Sequence, residues 1–466
     1  MWEVQSVLIQ KRIRMNKIII KNIKTGFSLL AATTVLASCS DFLTQDPADY
    51  ISDSKVIKTE ASAKAALNGA YHDLAANAYY GGKYFDAGIN LASDNVTWTG
   101  SLNYYYDFDT HQYSAENQLL SYAWYAIYAT VEQANEVISK TPTIDSSDEE
   151  KNEIIAEATV IRSLALFDLA RTWGNIPVIK EATSTPGQFN GVKQSEAKVV
   201  YQTVIDDILA VYNNLGKATD RVHVNQSVAD ALLARIYLYL EDWDNAEKYA
   251  TKVIENPYYE LTTIDNLIDG SLTTESIWEL AYSSKFTNEQ SNYWRSPNDG
   301  GRHEWGPSKE LVKLLSDSQV GGDRKAYYAD YSTSQVPDYY VGTLYKNPTS
   351  DDNVVLFRLA EEYLIRAEAR AKKSAPDLEG ALTDLNKIRK RSHVPEADSD
   401  LSKEELIQAI EDENRVEFAI EPHRWFDLVR TGRATTVLGI EQHQTVFPIP
   451  YSDIQADKDL IQNDKY

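Results

Sequence analysis

The chain has 466 residues, 46 Lys+Arg against 69 Asp+Glu, a formal charge of −23 and 43% hydrophobic residues. This is globular composition, and the acidic balance argues against a nucleic-acid binder and against wholesale adsorption to anionic lipid. The single cysteine excludes a disulfide framework and any Cys-based zinc site. Tyrosine is over-represented, with 30 residues beside 9 Trp and 11 Phe. Its rigid ring with a polar tip suits flat contact surfaces as well as cores.

Residues 1–38 read as a targeting segment rather than part of the fold. Lys17, Lys21 and Lys24 precede an apolar run over 26–37, too short to span a bilayer. The run ends in Leu36-Ala37-Ser38-Cys39, which looks like a bacterial lipobox, with Cys39 as the lipidated residue. Met15 is the more typical signal start. Cleavage before Cys39 removes six basic residues and Glu3, a net of +5, and takes the charge from −23 to −28. Acyl chains on Cys39 would anchor residues 39–466 to a membrane without spanning it. Ser40-Asp41 after the cysteine fits lipoproteins displayed on the outer-membrane surface.

Helical periodicity dominates the remainder. A stripe over 60–76 runs through Ala63, Ala66, Leu67, Ala70 and Leu74. Another over 117–139 runs through Leu120, Trp124, Ile127, Tyr128 and Val131. A helix over 153–173 ends at Gly174, a natural C-terminal stop. The spacing predicts further helices over 197–215, 226–240, 243–254, 308–315, 357–373, 378–390 and 403–419. Between them, 79–110, 256–308 and 317–352 are rich in Gly, Asn, Asp, Tyr and Trp. Loops of that length are usually functional. A short strand is expected at 276–282. No Ser/Pro-rich linker splits the chain, which reads as one domain over 39–466.

Two helix pairs carry tetratricopeptide-like small-residue offsets: Ala234, Tyr237, Ala246, Ala250 and Val253, and again Ala369, Ala381, Leu385 and Ile388. Ala246 and Ala381 are 135 positions apart. The units are therefore dispersed and must meet in three dimensions, as an α-solenoid-like half beside a loop-rich half with few short strands.

Several motifs carry a resemblance. Glu157 to Arg171 is followed by Trp173-Gly174-Asn-Ile-Pro177. Phe357-Arg358-Leu-Ala-Glu361-Glu-Tyr363-Leu-Ile-Arg366-Ala-Glu368 comes later, then Asn386-Lys-Ile-Arg389. Glu413-Asn-Arg415-Val-Glu417-Phe418 precedes His423-Arg424-Trp425-Phe426-Asp427-Leu-Val-Arg430, and Phe447-Pro-Ile-Pro450 and Leu460-Ile-Gln-Asn463 follow near the end. In order and spacing the chain resembles the SusD/RagB family, surface lipoproteins of Bacteroidetes. The resemblance implies a mainly α, SusD-like fold. It also implies a non-enzymatic role in which the protein sits as a lid on a SusC-like TonB-dependent transporter and captures a nutrient. The nutrient is usually an oligo- or polysaccharide, and a peptide in RagB-like members.

The charged motif residues Arg358, Glu361, Glu368, Glu413, Arg415, Glu417, Arg424, Asp427 and Arg430, with Trp425, read as structural. Carboxylates interleaved with arginines on helices are more often half-buried ion pairs than acid/base pairs facing one sugar. No metal-ligand spacing, phosphate loop or nucleophile motif occurs, so no catalytic residue, cofactor or metal is expected. The acidic run 145–150 reads as solvated rather than as a calcium loop. Ligand contact is assigned instead to aromatic and polar residues of the long loops: Trp98 with Asp94 and Asn95, and Tyr293, Trp294 and Trp305 with Arg302. Flat rings flanked by amides and charges make a glycan platform. Two other classes stay open at this point. One is a glycoside hydrolase, with Asp94 and Asp107 as the nameable carboxylates. The other is an envelope-assembly scaffold lipoprotein.

Overall fold

The structure, a computed structural model, describes residues 57–466. The targeting segment 1–38, the start at Met15 and the lipidation site Cys39 lie outside the described residues. In chain order the helices are α1 (Glu60–Leu74), α2 (Phe85–Leu91), α3 (Asn103–Asp109), α4 (Gln118–Lys140), α5 (Asp148–Trp173), α6 (Ala197–Val211), α7 (Gln226–Tyr239), α8 (Trp243–Ile254), α9 (Ile264–Asp269), α10 (Gln290–Trp294), α11 (Lys309–Ser316), α12 (Leu359–Lys372), α13 (Leu378–Arg391), α14 (Lys403–Glu417), α15 (Arg424–Arg430), α16 (Ala434–Leu438) and α17 (Tyr451–Ala456). The strands are β1 (Val96–Trp98), β2 (Ile176–Pro177), β3 (Gln194–Ser195), β4 (Ser276–Leu280), β5 (Trp305–Pro307), β6 (Tyr328–Asp330), β7 (Tyr340–Gly342) and β8 (Val354–Arg358). They form four antiparallel two-stranded ribbons: β1 with β5, β2 with β3, β4 with β8 and β6 with β7.

Local chemistry sets the helix ends. Thr59 and Ser402 close reciprocal capping boxes on α1 and α14, and Ser147, Asn225 and Asp242 cap α5, α7 and α8 with side-chain oxygens. Gly174 ends α5 at φ 76°, a backbone state that glycine adopts without strain. Helix α5 begins five residues earlier than its apolar stripe, because Ser147 and the acidic Asp148, Glu149 and Glu150 suit a helix N-terminus.

The helices pack as a chain of neighbours: α1 on α4, α4 on α5, α5 on α6, α7 on α8, α8 on α12, and α12 on α13 and α14. The dispersed pairs therefore do meet. Ala246, Ala250 and Val253 of α8 and Ala369, Ala381, Leu385 and Ile388 of α12 and α13 are all buried. Small residues at these crossings let the helix axes approach. The architecture is mainly helical, as the periodicity and repeats imply.

The helix expected over 357–373 is corrected at its start. Val354–Arg358 is strand β8, paired with β4, and Phe357 stacks flat on Trp278 (6.2 Å, 3°). That pairing joins positions about 80 residues apart, so local periodicity carried no sign of it. The loop-rich stretches also hold more structure than their weak periodicity suggests, notably α2, α3 and the β1–β5 ribbon. Among the described residues no helix is long and apolar enough to cross a membrane.

Candidate functional site

A buried lattice of arginines and carboxylates fixes the frame on which the loops sit. Arg358 bonds Glu275 (2.9 Å), Glu417 (2.5 Å) and Glu421 (2.7 Å). Arg324 pairs with Glu413 and Glu417, and Arg391 with Glu275 and Glu417. Arg235 holds Glu361 through a two-pronged contact at 2.6 Å, and Arg430 holds Glu368 at 2.8 Å and Asp427 at 2.8 Å. Burial pushes Glu368 up, but Arg430 and Lys372 outweigh it and hold the carboxyl at about 2. Burial likewise acts against Glu417, and the three arginines around it keep it well below the usual range. Trp425 is buried and stacks on Phe447 (5.6 Å, 20°). Every one of these charges is spent on another residue of the chain.

The lattice reaches the loops through Asp94 and Asn95. Asp94 accepts from Arg424 Nε at 2.7 Å and lies 3.0 Å from Arg415. Burial acts against its charge, yet those two guanidinium groups bring its carboxyl below the ordinary value. Asn95 is buried; its Oδ1 accepts from Arg415 Nε (2.9 Å) and its Nδ2 donates to the carbonyls of Arg415 (3.1 Å) and Ala419 (3.2 Å). The assignment of Asp94 and Asn95 to ligand contact is therefore corrected: Asn95 ties the start of β1 to the end of α14, and Asp94 ties it to α14 and α15. Asp107 accepts from Asn117 Nδ2 at 2.9 Å.

The aromatic platform expected from Tyr293, Trp294 and Trp305 is corrected in the same way. All three are buried, at 3%, 0% and 1% exposure, and offer no face to a ligand. Trp305 stacks on Tyr293 (4.9 Å, 12°) and receives the edges of Trp294 and Tyr105. The physical reason is tertiary: β1 pairs with β5, placing Trp305 opposite Trp98, and Gly342 of β7 leaves room for the Trp294 ring where a Cβ would sit 2.6 Å from it. Arg302 remains accessible and pairs with Glu304 at 2.9 Å. Trp98 is half-buried, edge-on to the exposed Tyr106 at 5.1 Å.

In front of this buried cluster stands a set of tyrosines that the loop reasoning did not single out. Tyr84 lies 4.8 Å from Tyr122 and 6.4 Å from Tyr104, with Lys83 5.5 Å above the Tyr84 ring. Tyr122 is 50% and Tyr125 74% exposed, one helical turn apart on α4. Burial, the neighbouring Tyr104 and Tyr122, and Glu289 all raise the Tyr84 hydroxyl pKa, so it is a neutral donor and acceptor at ordinary pH. Glu304 anchors the loop below by accepting from the backbone N–H groups of Ser101 (2.9 Å) and Leu102 (3.2 Å). A signal did exist in the sequence: Tyr122 and Tyr125 fall off the apolar stripe of α4, on the face that should be polar.

This arrangement can offer flat ring faces, phenolic hydroxyls, and the charged tips of Lys83, Arg302 and Glu289 to one ligand.

The comparisons with known proteins bear on the whole chain. A family model described as "SusD family" matches residues 281–446, and one described as "Starch-binding associating with outer membrane" matches residues 41–238. The chain belongs to the SusD/RagB family. It is 26% identical to SusD-like protein P38 of Formosa agariphila over 96% of this chain and 99% of that protein. It is 34% identical to the starch-binding protein SusD of Bacteroides thetaiotaomicron over 34% of this chain and 33% of that one. Among solved structures, a laminarin-binding SusD-like protein superposes with a TM-score of 0.77 at 24% identity, covering 88% of this chain and all of that one. A SusD superfamily protein from Bacteroides vulgatus superposes with a TM-score of 0.79 at 21% identity, covering 88% of this chain and 99% of that one. Two SusD/RagB matches on either side of the centre thus span both the helical frame and the loops that carry the tyrosines.

Proposed function

We propose that the protein is a surface-exposed outer-membrane lipoprotein, anchored through Cys39, that binds a nutrient glycan without cleaving it. It would deliver the glycan to a partner SusC-like TonB-dependent transporter and act as its lid. The observation that carries the binding role is the exposed tyrosine face of Tyr84, Tyr104, Tyr122 and Tyr125, backed by a rigid buried aromatic cluster. Sugars present C–H faces to such rings and hydroxyls to the phenols and charges around them. Relatives named for starch and laminarin binding support a glycan as the ligand class. Asp94 is held by Arg424 and Arg415, and Asp107 accepts from Asn117, which supports binding over hydrolysis at the nameable carboxylates. Anchoring beside a pore would raise local concentration, so modest affinity per contact suffices.

Native gels containing starch, laminarin or acidic polysaccharides test the reading, with the double variant Tyr84→Ala/Tyr122→Ala run beside the wild type. A tyrosine ring carries about 150–250 Å². If a sugar covers roughly 50 Å² of the exposed half of Tyr122, the loss is about 1.3 kcal/mol, or roughly tenfold, per ring. Retardation by one glycan, weakened on the order of a hundredfold in the double variant, is the expected result. Retardation that the variant keeps in full would move the site elsewhere. No retardation by any polysaccharide would overturn the glycan reading in favour of peptide cargo.

A further inference from the structure

Two depressions join beside α1, sharing Asn68 and His223. The first, of about 410 Å³, lies between α1, α5 and the segment 216–225 and is lined by Asn68, Glu153, Glu157, Lys217, Thr219 and Asp220 among others. The second, of about 250 Å³, is walled by Tyr71, His72, Leu280 and Phe286. None of these residues belongs to the tyrosine face.

Part of the polar lining is unspent, although Lys64 pairs with Glu60 and Asn225 caps α7. Among the described residues, the side chains of Asn68, Glu153, Lys217 and Thr219 line the depression without a hydrogen-bond or ion-pair partner in the chain. Glu157 uses one oxygen to accept from the Tyr71 hydroxyl at 2.5 Å, and the same hydroxyl accepts from the Val224 N–H at 2.7 Å. His223 engages Asp220 through Nδ1 at 2.9 Å, which leaves Nε2 for another partner. A larger cavity of about 810 Å³ near the C-terminus gives the contrast. Three of its four amides are consumed: Gln194 bonds the carbonyls of Asn175 and Ile461, Gln462 bonds both the N–H and C=O of Ile449, and Asn463 bonds the carbonyls of Trp173 and Phe447, while the Asn175 side chain is unspent.

The neighbouring wall is aromatic. His72 stacks on Phe286 (4.4 Å, 29°), Phe286 on Tyr282 (5.4 Å, 11°), and Tyr71 meets His223 edge-on at 5.7 Å. Free donors and acceptors of both kinds beside an aromatic wall are what a hydroxylated ring with an apolar face requires. Lys64 is paired with Glu60 and Asp220 with His223, and the remaining Lys217, Glu153 and Glu157 are of both signs, so the groove gives no strong hold on an ion of either sign.

We infer that this groove is a second saccharide subsite, taking a neutral segment of one or two sugar units. The inference rests on the glycan-binding reading above and extends it. Two subsites on one molecule would favour long chains over short ones, because engagement of the second site is intramolecular.

The test is methyl NMR of the full chain, labelled at Val and Leu and titrated with laminarihexaose and, separately, maltohexaose. Val222, Val224 and Leu280 report on the groove, and Leu102 on the tyrosine face. Shifts at both sets are expected with one of the two sugars. Asn68→Ala/Glu153→Ala changes two exposed residues and should abolish the groove shifts while leaving the Leu102 shift intact. Tyr84→Ala/Tyr122→Ala should do the reverse. A Leu102 shift with Val222, Val224 and Leu280 unmoved would overturn this inference and leave the proposed function standing. Groove shifts that survive Asn68→Ala/Glu153→Ala would overturn the assignment of those residues. Silence at both sets with both sugars would overturn this inference, and the native gels decide separately whether the proposed function stands.

Discussion

Arg358 is the residue whose loss should propagate furthest. It is 2% exposed and donates to Glu275, Glu417 and Glu421 and to the backbone carbonyl of Glu417 (2.9 Å). In Arg358→Met, Glu417 keeps Arg324 and Arg391, and Glu275 keeps Arg391. Glu421 loses its only side-chain partner among the described residues and stays buried. Breaking a buried pair by removing one partner destabilises by about 3–5 kcal/mol, because an uncompensated charge is left behind. The pH dependence has a definite sign. Burial already raises the Glu421 carboxyl even with Arg358 beside it, and removing the guanidinium raises it further. A carboxyl whose folded pKa lies above its unfolded one supplies its stability at low pH and loses it as pH rises through the folded value. Urea denaturation should therefore show a larger deficit for Arg358→Met at pH 8 than at pH 5. The companion Glu421→Gln in the variant background should recover part of the loss at pH 8. A deficit under about 1 kcal/mol, or one independent of pH, would refute the reasoning, since surface pairs behave that way.

Three further outcomes are expected. Trp305→Ala removes a fully packed indole and should destabilise by about 3–5 kcal/mol. If the ring only backs the tyrosines, a low-temperature titration of the folded fraction will show glycan affinity reduced far less than by Tyr84→Ala/Tyr122→Ala. Asp94→Asn discharges the partner of Arg424 and Arg415 and should cost roughly 1–3 kcal/mol, because Asp94 is only partly buried; equilibrium unfolding of Asp94→Asn, Arg424→Met and the double variant measures the coupling. Glu157, pushed up to about 7 mainly by burial, should make the wild type lose stability as pH climbs from about 5 to 8. Glu157→Gln should flatten that part of the stability profile, and an unchanged slope would place the titrating group elsewhere.

The helical frame was legible because its information is local. The limits of α8 could be read at both ends, since Asp242 caps it and the stripe Ala246, Ala250 and Val253 ends where the helix does. Charge patterning in the 413–430 motif pointed to pairing, but only Asp427 and Arg430 pair at helix spacing; Glu413, Glu417, Arg415 and Arg424 find Arg324, Arg358 and Asp94, which are distant in sequence. What could not be read was set by contacts distant in sequence. Phe357 and Arg358 continue an apparently helical stripe, yet Ser276–Leu280 claims them as a strand. Trp294 and Trp305 stand among polar, glycine-bearing neighbours that suggest exposure. Trp305 is buried because Val96–Trp98 pairs with its strand, and Trp294 because Gly342 leaves the space its ring fills.

The misplaced platform and the missed tyrosines share one cause. Residue type alone ranked Trp above Tyr as a sugar contact, and irregular loops above helices. Burial reverses both rankings at this site. A large apolar indole in a loop is drawn under cover by the area it can remove from water, about 25 cal/mol per Å². A tyrosine loses less by staying out, because its hydroxyl keeps its bonds to water. Tyr122 and Tyr125 stay exposed on α4 while Leu120, Trp124 and Ile127 take the core. An aromatic residue on the polar side of a well-formed amphipathic helix is therefore a stronger sign of a contact surface than a tryptophan in a loop. It is held outward by a helix whose orientation other residues have already fixed.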